Sequence, residues 1–171
     1  MNRTYVLAVA LAFGACFALA QDNPFSTDAK TSYTGIKNTI LKAADKMPEA
    51  NYSFRTVPEV RTYGEIIGHI ADTNLMLCGL AKGEQKAGTA GKMTSKADLI
   101  AALRASFEYC DTVYNSMTDS TGAVKVKMFG RDMTKLGVLN FNTMHDNEMY
   151  GTAVAYLRIK GIVPPSSDGR P

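Results

Sequence analysis

Apolar residues recur at helical spacing in four stretches of this 171-residue chain, and no stretch alternates long enough to build a sheet. That pattern confines the fold to the all-α class, most economically a four-helix bundle with one long central helix. The first helix is expected from about Asp28 to Lys46, with Ser26 or Thr27 as cap, Tyr33, Ile36, Ile40 and Ala44 on its stripe, and Pro48 as its stop. Tyr52, Phe54 and Pro58 then mark an ordered loop up to Arg61. The second helix opens with a capping box, Thr62 to Glu65, and runs through Ile66, Ile67, Ile70 and Leu77 to about Leu80. The stretch from Lys82 to Lys92, rich in glycine and lysine, reads as a flexible surface connection.

A second box of the same kind, Ser95 to Asp98, starts the third helix, whose stripe is Leu99, Ile100, Leu103, Phe107, Cys110, Tyr114 and Met117. Thr118 to Gly122 reads as a polar turn, and Val124 to Met128 as a loop or a single extended stretch. The fourth helix, from about Thr134 to Lys160, is the longest and ends with Gly161 and then Pro164.

Ahead of these helices, Arg3, an apolar run from Tyr5 to Ala12 and Ala18-Leu19-Ala20 compose a secretory signal peptide over residues 1–20, cleaved before Gln21. Gly14-Ala15-Cys16 resembles the end of a lipobox, which would place processing at Cys16 instead, although Phe13 is a poor start for that motif. The expectation is a periplasmic or secreted protein with one domain over 25–165 and no integral membrane span. The net charge is only +3 and the basic residues are scattered among acids, which argues against nucleic acid as a partner. In an oxidising compartment Cys78 and Cys110 are either a disulfide or two buried thiols, and both readings stand. A homodimer is compatible with the sequence.

The chemistry-bearing residues are few. The chain has two histidines, His69 on the second helix and His145 on the fourth. Val138, Phe141, Asn142, His145, Met149, Thr152 and Tyr156 share one face of the fourth helix, so His145 is expected to look into the bundle. Facing helices can bring the two imidazoles together, although spacing alone more often yields hydrogen-bonded core histidines. No Gly-x-Ser-x-Gly elbow, P-loop or dinucleotide fingerprint is present. Tyr150 and Tyr156 read as packing residues, and the methionines as an adaptable core.

The segment Asn-Phe-Asn-Thr-Met-His-Asp-Asn-Glu-Met-Tyr-Gly at 140–151, with Gly-His-Ile-Ala-Asp at 68–72, resembles the DinB superfamily of bacterial four-helix-bundle proteins. The resemblance implies a divalent metal, often zinc or nickel, held by one histidine of the second helix and a His-x-x-x-His pair of the fourth. It also implies, for some members, transfer of thiols such as bacillithiol or mycothiol, or isomerase or hydrolase activity on a small molecule. His69 and His145 match the first two ligands; Met149 stands at the third and departs from the pattern. Loss or weakening of divalent-metal binding, with the pocket kept for a small-molecule ligand, is the first expectation. The alternatives are a metal-dependent transferase or hydrolase with Asp72 or Glu148 as substitute ligand, and a copper(I) site of His69, His145 and Met149, since a thioether suits a soft ion. Glu148 and Asp72 otherwise read as partners behind the ligands.

Overall fold

A computed structural model describes residues 22–169. The expected signal peptide and Cys16 lie outside the described residues. Four long helices carry the chain: α1 (Pro24–Lys46), α2 (Tyr63–Lys82), α3 (Lys96–Ser116) and, after a short α4 (Asp119–Gly122) and two strands, α5 (Lys135–Ile159). α2 packs against α3 and α5, and α1 packs against the same two, so one core lies between all four. The protein is mostly helical, as the periodicity requires.

α1 begins four residues earlier than its cap signals suggest. Pro24 fits the first helical turn because its missing N–H would be unpaired there anyway. The amides of Phe25 and Ser26 donate to the Asp119 carboxylate, at 3.3 and 2.8 Å, while Asn23 Oδ1 accepts the Asp119 N–H at 2.9 Å. The cap therefore comes from α4, more than ninety residues away, and Ser26 and Thr27 lie inside the helix.

The Thr62–Glu65 box forms as expected, each side chain satisfying the other residue's amide, and Gly83 (φ 91°) closes α2 in the left-handed region. The Ser95–Asp98 box forms only by half. Ser95 Oγ caps the Asp98 amide but donates to the Asp98 carboxylate, whose shorter side chain does not return to the Ser95 N–H.

Between α4 and α5, strands β1 (Lys125–Met128) and β2 (Arg131–Thr134) pair antiparallel, with Lys125 opposite Thr134 and Met128 opposite Arg131. This corrects the reading of a loop or lone extended stretch. The connecting residues Phe129 (φ 49°) and Gly130 (φ 78°) both occupy positive φ, the two-residue turn that matches strand twist. Asparagine usually takes the first of these positions; a phenylalanine there hides the hairpin from sequence. The Phe129 ring meets Phe141 of α5 edge-on, centroids 6.2 Å apart.

In the core, the Tyr33 and Tyr114 rings stack at 3.9 Å, and the Tyr33 hydroxyl donates to Phe107 O at 2.9 Å. Cys78 of α2 and Cys110 of α3 are joined by a disulfide, Cα atoms 5.4 Å apart and both residues fully buried.

Candidate functional site

α2 and α5 each present one histidine to the other. His69 Nε2 and His145 Nε2 are 3.1 Å apart, with the rings almost perpendicular and their centroids at 5.0 Å. Both residues are half-buried at the edge of the core. The buried stripe of α5 is Leu139, Asn142, Thr143, Asp146, Tyr150, Ala153 and Leu157 together with Val138 and Tyr156. Because α5 packs against both α1 and α2, that arc is broad and centred near Asp146. His145 and Met149 therefore flank it on the α2 side, while Thr152 is exposed. The expectation that His145 looks into the bundle holds only in this grazing sense.

Burial is the main force on both imidazoles and lowers the pKa of each below the ordinary histidine value. The Arg61 guanidinium, just before α2, lowers both further; the negative charge of Glu148 acts in the opposite direction. Neutral imidazoles carry free lone pairs, so the pair can share one N–H or direct both nitrogens at a common guest. Glu148 Oε2 lies 3.7 Å from His145 Nδ1 and its side chain is 72% exposed. At that distance it is a neighbouring charge rather than a hydrogen bond. It favours the proton on Nδ1, which leaves the His145 Nε2 lone pair towards His69.

Asp72, expected as a substitute ligand or a partner of one, is engaged elsewhere. Its Oδ1 accepts the Ala90 amide at 2.8 Å and its Oδ2 the Gly91 amide at 2.9 Å. These bonds clamp the 3₁₀ turn Ala90–Lys92 onto α2, so the connection read as flexible is fastened at its C-terminal end. Gly68 permits the approach, since a Cβ there would stand 2.7 Å from Ala90 O. Asp72→Ala removes two charge-assisted bonds and leaves the amide of buried Ala90 without its acceptor. It is expected to cost about 2–3 kcal/mol in urea unfolding and to speed hydrogen exchange at Ala90 and Gly91. Unchanged protection at those amides would show that the clamp is idle.

Met149 lies one turn beyond His145, half-buried. It lines a cavity of about 510 Å³ with Glu59, Val60, Arg61, Ile66, Thr152 and Tyr156. His69 lines a neighbouring cavity of about 400 Å³, where Arg55, Arg61, Glu65 and Asp72 are also found. The two cavities meet at Glu59–Arg61.

The metal implied by the family resemblance fits this arrangement incompletely. Two nitrogens bound at 2.0–2.1 Å to one tetrahedral ion stand roughly 3.3 Å apart, so a separation of 3.1 Å suits a shared ion. Yet no group of three His, Cys, Asp or Glu side chains that could hold an ion exists among the described residues. The third nitrogen of the usual set is missing, and the thioether of Met149 does not replace it for zinc or nickel.

A family model described as the DinB superfamily matches residues 34–153, well over half of the chain. The chain belongs to the DinB superfamily. Among solved structures similar to this DinB chain is a DinB-like protein from Bacillus cereus, with TM-score 0.70 and 20% identity, covering 81% of this chain and 95% of that one. A DinB-like protein from Bacillus subtilis follows at TM-score 0.65 and 16% identity, over 78% and 92%. The mycothiol-dependent maleylpyruvate isomerase gives TM-score 0.62 at 15% identity, over 75% of this chain but only 59% of its own length. At such identities the likeness is one of fold. No curated protein matches the chain.

Two residues near the histidine pair carry no sequence signal. Arg61 reads as an ordinary loop residue until the fold sets it in the cavity that His69 lines, where its charge acts on both imidazoles. Asp146, next to His145, is fully buried without a hydrogen-bond partner among the described residues, and burial pushes its carboxyl pKa well above the usual range.

Proposed function

We propose that this protein is an exported DinB-type four-helix bundle whose His69–His145 pair lines a small-molecule pocket with weakened affinity for divalent metal. One observation carries the reading: two imidazole nitrogens converge to 3.1 Å with no third His, Cys, Asp or Glu completing the set among the described residues. Two imidazoles hold zinc or nickel weakly, and a thioether adds little for such ions. The signal-like segment at 1–20 supports export, as does a cystine pair in the fold.

Two other readings have specific support. The nitrogen separation suits a single ion, which favours a metal-dependent transferase or hydrolase whose remaining positions are filled by solvent and substrate. Met149 one turn from His145 favours copper(I), which accepts a thioether alongside imidazole.

Elemental analysis of protein purified from the cell envelope, followed by titration with zinc, nickel and copper(I), divides the three. The proposal expects zinc and nickel well below one equivalent after gel filtration in metal-free buffer. One equivalent of zinc, abolished by His145→Ala, would replace it with the metal-enzyme reading. Tight copper(I) that weakens in Met149→Leu would replace it with the copper reading. Fractionation of cells expressing the full chain tests export directly, and recovery in the cytosol with residues 1–20 intact would end that part.

A further inference from the structure

His69 lines the smaller of two adjoining cavities and Met149, one turn from His145, lines the larger; Arg61 belongs to both. Most charged groups around them are already engaged. Both Asp72 oxygens hold backbone amides, and Glu65 Oε2 holds the Thr62 amide at 2.6 Å and lies 4.0 Å from Arg55. Arg55 also donates to Pro58 O at 3.3 Å. Arg61, by contrast, is exposed at the mouth of both cavities, and its guanidinium has neither an ion pair within 4.0 Å nor a side-chain hydrogen bond among the described residues. Its backbone is fixed, because the Tyr156 hydroxyl donates to Arg61 O at 2.6 Å. Glu59 shares both cavities; it is exposed and makes no ion pair with Arg61.

A fork of five N–H donors, held by its backbone beside a pocket and lacking a protein partner, fits a planar carboxylate in bidentate fashion. The wall beyond it is apolar on one side, with Ile66, Met149 and Tyr156 in the larger cavity. That cavity, about 510 Å³, has the size of a small-molecule site.

We propose that Arg61 selects small carboxylic acids with an apolar body: the carboxylate docks on its guanidinium and the body lies along Ile66, Met149 and Tyr156, beside the histidine pair. This rests on the pocket reading above and specifies its ligand class.

The chain has two histidines, so their ring signals in an NMR spectrum of tag-free protein report the site without crowding. The probes are 3-phenylpropionate and its neutral amide, each titrated into the whole protein. The acid is expected to shift at least one ring saturably and to bind at least tenfold more tightly than the amide. Arg61→Gln should weaken acid binding tenfold or more and abolish the preference, Arg61→Lys should retain part of it, and Lys42→Gln, on the exposed face of α1, should leave it unchanged. Equal binding of acid and amide at the histidines overturns the Arg61 assignment and leaves the pocket reading intact. An acid preference that survives Arg61→Gln overturns it as well. If neither probe moves either ring, both the assignment and the pocket reading fall.

Discussion

Met149→His is expected to convert this protein into a tight zinc and nickel binder. His145 and residue 149 are one turn apart on α5, so their side chains are neighbours on one face. His145 Nε2 already points at His69 Nε2, 3.1 Å away. The substitution supplies the missing nitrogen from a position that is half-buried and next to an existing cavity, so an imidazole has room. Structural zinc sites with four protein ligands contribute about 10–16 kcal/mol, or roughly 3 kcal/mol per ligand, so a third nitrogen should tighten binding about a hundredfold. Competition with a chromophoric chelator measures this, and His69→Ala in the same background should reverse it. A variant that binds zinc no better than the parent would mean that residue 149 does not reach the ion position. The absence of the third histidine would then not be what weakens the site, and the reading of Met149 as the decisive substitution would fail.

The parts of this architecture that sequence made legible are those written locally. The Thr62–Glu65 box and Gly161 mark helix ends with residues three or four apart, and both work in the structure as their chemistry dictates. What escaped sequence reading is written across long separations. The cap of α1 is Asp119, more than ninety residues away. The clamp on the 90–92 turn is Asp72, eighteen residues upstream, which looked like a ligand because it stands three places after His69. On α5 the helical period was right and its phase was not. The stripe centres on Asp146 because α1 and α2 press from two sides, a fact of tertiary packing that no one-dimensional pattern contains. The histidine pair itself emerged from the family resemblance rather than from spacing, and Arg61 from neither. A loop arginine gains meaning only once a fold places it next to something.

Opening the Cys78–Cys110 disulfide is expected to produce the largest loss of stability among the changes considered. The bond spans 32 positions and joins α2 to α3 through two fully buried residues. Closing a loop of that length in the unfolded chain corresponds to about 3–4 kcal/mol in the chain-entropy account. For a domain of this size, that lowers Tm by roughly 10 °C. The paired Cys78→Ala, Cys110→Ala variant, compared with the oxidised parent by urea and thermal unfolding, should show this drop. Complete reduction of the parent, verified by mass, should show most of it. The closed loop contains the Ala90–Lys92 turn that Asp72 holds against the histidine-bearing helix. The same variant should therefore lose hydrogen-exchange protection at Ala90 and Gly91 ahead of the core amides of α5. An unchanged unfolding midpoint after verified reduction would make the bond thermodynamically idle. Loss of protection spread evenly over all four long helices would detach it from the site and leave it a staple of the core alone.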